Sequence, residues 1–274
     1  MSKGVKYILL ASFYFSLMNV CVKLLPSIPA YEIVFVRSIV TLIVCYISLK
    51  RIKISIWGNN KTLLIARGLA GTVALMMYFY TLQNMPLATA VTVQYLSPIF
   101  TIIFATLILK EKTRLQQWLL FILSLIGLAL LKQFEAEVDT NILLIGVISA
   151  AGSGLAYNFV RKLKDYDHPL VVVFYFPLIT VPLIGPYTIS NWVAPDLGQW
   201  GLLILTGILT QIAQVYMTKA YQADTFARIS NYNYLGPVLA FIYGFIIFDE
   251  TVSVMGIMGI LLILLSSLLT ARVR

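Results

Sequence analysis

No lysine, arginine, aspartate or glutamate occurs between Gly68 and Leu109. A helix crossing the hydrocarbon of a bilayer needs about 20 mostly apolar residues. This run is too long for one crossing and suits two, folded back at the polar break Gln83-Asn84-Met85-Pro86. The same ruler applied to the whole chain gives ten candidate spans, near 5–24, 31–49, 62–83, 87–109, 115–132, 141–161, 169–188, 198–219, 227–248 and 253–271. The gaps between them are short and leave no room for an extramembrane domain. Composition agrees: 60% of residues are hydrophobic and 11% are charged, against about 25% charged in a soluble domain. Such a chain cannot cover a water-facing surface, so an all-α integral membrane protein is expected.

The net charge of +9 would suit a nucleic-acid partner only if it were gathered on a folded soluble face. Instead the cations fall in the gaps between spans. With ten crossings both termini share a side, and that side collects every Lys and Arg except Lys23, Lys132 and Arg37. By the positive-inside rule this places both termini in the cytoplasm of a multi-pass plasma (inner) membrane protein. The first apolar run lacks a small-x-small cleavage site, so an uncleaved first helix is expected. Cys21 and Cys45 lie inside apolar stretches and read as packing residues, a disulfide being the alternative.

A shift of 139 residues superimposes the two halves. Asn19 meets Asn158, Lys23 meets Lys162, Pro98 meets Pro237, and Glu111 meets Glu250. Two repeats are therefore expected, 1–134 and 141–274. Five spans in each make the second inverted relative to the first, a common build for secondary transporters that work by alternating access.

Several stretches carry a family resemblance: Arg67-Gly68-Leu69-Ala70-Gly71, Tyr78-Phe79-Tyr80-Thr81-Leu82, Pro86-Leu87-Ala88-Thr89-Ala90, and Ser97-Pro98 through Lys110-Glu111-Lys112. Together with Arg37 in Phe35-Val36-Arg37-Ser38, they resemble the EamA-type repeat of the drug/metabolite transporter superfamily. A weaker copy follows in Lys219-Ala220-Tyr221, Gly236-Pro237 and Phe248-Asp249-Glu250. The second half departs from the pattern at Phe176, where the arginine would repeat. Lys110 and Asp249 stand where glycine commonly precedes the glutamate. The resemblance implies a ten-helix carrier with a central cavity lined by spans 1–4 and 6–9.

Polar side chains inside a span are costly and usually face the bundle interior or a wet cavity. The candidates for the substrate cavity are Asn19, Arg37, Tyr78, Gln94, Tyr95, Asn158, Gln211, Gln214, Asn233 and Tyr234. Gln94 and Asn233 occupy equivalent positions, four residues before Pro98 and Pro237, and these prolines are candidate hinges because each removes a helix hydrogen bond. Interhelical hydrogen bonding is the alternative role for these amides, and for Asn19 and Asn158 it is the favoured one. Arg37 lies roughly 8 Å past the outer boundary. It either snorkels outward or faces the cavity, where its fork could hold a carboxylate or phosphate. Arg67, Lys219 and Arg228, near the cytoplasmic ends, are expected to snorkel. Glu111 and Glu250 should cap the helix that follows each of them, or else act as gate charges paired with Lys or Arg. Spans 5 and 10 carry almost no polar residues and should face lipid or the partner protomer of a homodimer.

Acidic residues are expected only in loops or, for Glu32, at a span boundary, so no midplane carboxylate is available for proton or sodium coupling. Facilitated diffusion or exchange of a zwitterionic or anionic small molecule follows, with efflux as the expected direction. The competing readings are a channel-like facilitator and an uptake carrier for a vitamin or nucleotide-related metabolite. An enzyme would need a catalytic constellation, whereas the chain has one histidine, His168, no His-Glu-x-x-His and no phosphate-cradling loop. No cofactor, no metal and no nucleic-acid partner are expected.

Overall fold

The computed structural model describes residues 2–109, 115–134, 138–223 and 235–272, all helical apart from short connections. The helices are α1 (Lys3–Lys23), α2 (Ala30–Arg51), α3 (Lys61–Asn84), α4 (Leu87–Gln94), α5 (Ser97–Leu109), α6 (Leu115–Phe134), α7 (Thr140–Leu163), α8 (Pro169–Ser190), α9 (Leu197–Ala223), α10 (Leu235–Phe248) and α11 (Val254–Arg272). Their starts follow from local chemistry. Ser2, Asn60, Asp139 and His168 each accept a first-turn backbone N–H at the head of α1, α3, α7 and α8, which satisfies donors that have no partner within the helix. Asp249, with φ of 51°, turns the chain after α10 and takes the left-handed place that glycine usually fills.

Among the described residues, seven stretches are long and apolar enough to cross a membrane, with α4 and α5 together supplying one. The described apolar portions of α6, α10 and α11 are shorter. Within the fourth expected span the helix breaks at Tyr95-Leu96, ahead of Pro98. Pro98 then sits in the first turn of α5, where a missing N–H costs nothing; Pro237 lies in α10, and the residues before Leu235 fall outside those described. Pro98 thus lies just past an interruption of the helix within one apolar stretch.

The packing obeys the 139-residue shift. Two of the three most extensive contacts, α1 on α9 and α3 on α7, exchange under it. So do α2 on α9 and α3 on α8, while α2 on α8 and α6 on α11 map onto themselves. Helices α2 and α8 run antiparallel: Tyr31 stacks edge-on against Tyr187 at one end, with centroids 5.1 Å apart, and Cys45 lies against Leu170 at the other. Each end of this pair is tied by an acid near the start of one helix and the loop after the other. Glu32 accepts from Val193 N–H (3.0 Å), and Asp167 accepts from Asn59 N–H (2.6 Å) and Asn60 N–H (3.2 Å).

The apolar core is divided. A large cluster that includes Val22, Leu25, Ile33, Phe79, Leu82 and Leu87 fills the end remote from Ser2. Smaller ones join α2, α3, α7 and α8 around Leu49, Leu64 and Leu163, and α1 to α9 around Ile8 and Met217. Helices α6 and α11 pair at the periphery and expose apolar faces that include Leu119, Ile122, Leu261 and Leu265. They approach closely at Gly127, where an added Cβ would lie 2.8 Å from the carbonyl oxygen of Gly259. Cys21 and Cys45 are both buried and free.

Candidate functional site

The middle of the bundle holds a cavity of about 160 Å³. Its lining comes from α1 to α5 and α7 to α10; among the described residues α6 and α11 contribute nothing. Of the polar residues singled out in the sequence, Asn19, Arg37, Tyr78, Gln94, Tyr95 and Gln214 reach the wall, and Pro98 lies beside them. Ser12, Ser16, Ser153 and Tyr157 add further polar groups.

Two expected wall residues are not there. Asn158 turns into the α5–α7 contact and donates to the carbonyls of Thr101 (2.8 Å) and Gly154 (3.0 Å). Two backbone acceptors in a dry interface hold the amide better than an open wall would. Gln211 is buried against α2 and donates to the Cys45 sulfur at 3.3 Å. Asn233, Tyr234 and Glu111 fall outside the described residues. Gln94 serves both roles set out for it: it donates to Ser153 Oγ (2.7 Å), accepts from Ser149 (3.2 Å), and still lines the cavity.

Arg37 does not snorkel. It is 1% exposed, and its guanidinium carbon lies 5.2 Å from the Phe176 ring centroid and 5.7 Å from that of Phe79. Arg67 corrects the sequence reading outright. It does not reach for water but is 4% exposed, lines the same cavity, and stacks 4.6 Å from the Phe176 centroid. The reason is local. Gly71, one turn on, leaves the space that the guanidinium occupies, and a Cβ there would collide with Arg67 Nη1 and with the Phe176 ring. Both cations thus rest against one aromatic ring, a favourable cation–π placement. That contact leaves hydrogen-bond donors over: Arg37 Nε and Nη2 and Arg67 Nε are buried without an acceptor. Among the described wall residues there is no carboxylate to serve them.

One end of the bundle is closed by a long-range ion pair. Lys23 Nζ lies 2.5 Å from Glu250 Oε1, donates to the Met85 carbonyl (2.7 Å) and sits 5.4 Å from the Phe248 ring centroid. The other oxygen of Glu250 accepts from Leu87 N–H at 2.7 Å. Glu250 was expected to cap the helix after it. It caps α4 instead, because Pro86 at that N-terminus has no side-chain acceptor to offer. The adjoining loop is held by Gln83, whose amide donates to Leu25 and Ile28 carbonyls. Lys23 had been counted only as one of the few outer cations. Its match to Lys162 under the same shift that relates Glu250 to Glu111 was the signal that could have paired the two.

The model of the EamA-like transporter family matches the chain twice, over residues 2–132 and 140–272. The chain is 30% identical to the "Pseudopaline exporter CntI" of Pseudomonas aeruginosa, over all of this chain and 98% of that protein. It is 29% identical to human "Solute carrier family 35 member G1", over 90% of this chain and 73% of that one. A solved crystal structure with 19% identity aligns over 97% of this chain and 93% of its own, with a TM-score of 0.65, a likeness of fold. A packing plan that repeats between the two halves, a polar cavity where they meet, and these matches have one meaning: this multi-pass membrane protein belongs to the EamA-like transporter family of the drug/metabolite transporter superfamily.

Proposed function

We propose that the chain is a secondary carrier with ten membrane crossings, cytoplasmic termini and two inverted five-helix repeats, residues 1–134 and 141–274. It exports small polar metabolites that carry a carboxylate across the cytoplasmic membrane. The observation that carries this reading is the cavity where the two repeats meet, with Arg37 and Arg67 buried in its wall and three of their donor nitrogens, Arg37 Nε and Nη2 and Arg67 Nε, unserved. An intramembrane charge held at such cost belongs to a solute pathway. The cation skew of the loops supports the orientation. The end closed by Lys23 and Glu250 is then the outer one, so the arrangement is closed to the outside. The named exporter among the relatives favours efflux. The absence of a midplane carboxylate among the described residues favours exchange or facilitated diffusion over tight proton coupling.

Counterflow in proteoliposomes is the test. Purified protein should give saturable uptake of a labelled carboxylate metabolite, accelerated by the same solute preloaded inside. Flux that never saturates and shows no acceleration from the opposite side indicates a channel. Flux that requires an imposed pH gradient contradicts the coupling.

A further inference from the structure

We infer that the cavity takes a doubly anionic solute, most simply a short dicarboxylate, held between Arg37 and Arg67 beside Phe176. The inference rests on the carrier reading and narrows it, because a single carboxylate accounts for only half of what the wall presents.

The wall carries two cations and, among the described residues, no anion. Each guanidinium offers five N–H donors in a rigid fork. The ring of Phe176 balances part of the charge but accepts none of those hydrogen bonds in the plane of the fork. Burying an unpaired charge is costly, and the cost is relieved only when a counter-charge arrives with matching acceptors. Neither guanidinium carbon is further than 5.2 Å from the common ring centroid, so the two lie within about 10 Å of one another. Two carboxylates on a chain of a few carbons span such a distance with one bidentate contact each. A neutral zwitterion leaves one arginine unserved and brings an ammonium group into a wall whose described residues include no carboxylate. Cationic solutes are repelled outright. A phosphate monoester presents the same double charge on one group, so it shares the chemistry and is separated experimentally.

The test uses the full chain in detergent, titrated calorimetrically with succinate, monomethyl succinate, alanine and inorganic phosphate. The two succinates match in length and differ by one charge. Succinate is expected to bind at least about tenfold more tightly than its monomethyl ester, the worth of one charge-assisted contact. Arg67→Gln and Arg37→Gln should each bring that ratio close to one. Arg67→Lys should keep part of it, since the charge remains and the fork is lost. Unliganded melting temperature and size-exclusion profile identify any variant that fails to fold, and the lysine variant then decides. Phosphate that displaces succinate at similar concentration extends the site to phosphate esters; phosphate that does not restricts it to dicarboxylates, and both support a dianion site. Equal affinity for the two succinates, no measurable binding of succinate or phosphate, or a ratio that survives both glutamine variants overturns it. Arginine-dependent succinate binding without counterflow would sink the carrier reading alone. Counterflow of alanine that is indifferent to both arginines would sink the dianion site alone.

Discussion

Glu250→Gln removes one charge from the closure at the end remote from Ser2, the outer end in the proposed orientation, while leaving an amide oxygen that still accepts from Leu87 N–H. The substitution therefore isolates the ion pair with Lys23. Those two side chains are 14% and 13% exposed, well short of the free solvation that makes surface pairs nearly worthless. Hydrogen bonds to charged groups contribute about 1.5–3 kcal/mol. If the pair forms only while the outer end is shut, losing it shifts the closed-to-open ratio by roughly 10- to 150-fold. Ser16→Cys reports the shift, since Ser16 lines the cavity and is 2% exposed; Cys21→Ala and Cys45→Ala clear the background. A membrane-impermeant maleimide applied to right-side-out and inverted vesicles then reads each face separately. Glu250→Gln should raise labelling from outside by at least about tenfold and leave or lower labelling from inside. Lys23→Glu combined with Glu250→Lys should restore part of the closure. Unchanged outside labelling would refute the gate, and an equal rise from both faces with a lower melting temperature would show general loosening instead.

Gly71→Ala should displace Arg67 or Phe176, because no side chain fits beside both; solute affinity falls about tenfold in the same calorimetric titration while the protein stays folded. Gly127→Val should force α6 from α11, since even a Cβ would meet the Gly259 carbonyl at 2.8 Å; overpacking of this kind costs about 1–3 kcal/mol, seen as a lower melting temperature in detergent. His168 caps α8 through Nδ1, and partial burial and then Lys219 hold its imidazole below the usual 6.5. Its folded pKa lies below the unfolded one, so the cap contributes fully above pH 6.5 and is lost as pH falls through the folded value. His168→Asn keeps an acceptor at that position, and its melting temperature should fall less between pH 7.5 and 5 than that of the unmodified chain.

Hydropathy made the spans legible because the bilayer imposes one length on every crossing, and α1, α2, α3, α7, α8 and α9 begin and end within a few residues of the expected limits. The repeat was legible because Asn, Pro and Glu rarely coincide by chance in so apolar a chain. Which face of a helix turns inward was not. Asn19 and Gln214 reach the cavity while Asn158 and Gln211, on helices that also supply wall residues, turn into contacts with α5 and α2. Side-chain type is the same in each case; the partner across the interface decides. Arg67 was misplaced because distance from a helix end says nothing of the neighbouring surface. A small residue four positions on, Gly71, was the readable sign that the guanidinium had room to fold inward. The break at Tyr95-Leu96 has a local sign in Pro98; the approach of Tyr95 to Gly236 in the other half has none.

Arg37 and Phe176 are counterparts under the duplication and also touch. A position of that kind is its own neighbour: whatever residue an identical pair of halves placed there would face a copy of itself. Two guanidiniums would then have met head-on in the buried wall of the cavity. Keeping the cation in one half and an aromatic face in the other resolves the conflict. The duplication is therefore unequal at its axis, and the cavity has two unlike walls there even though the surrounding helices still exchange.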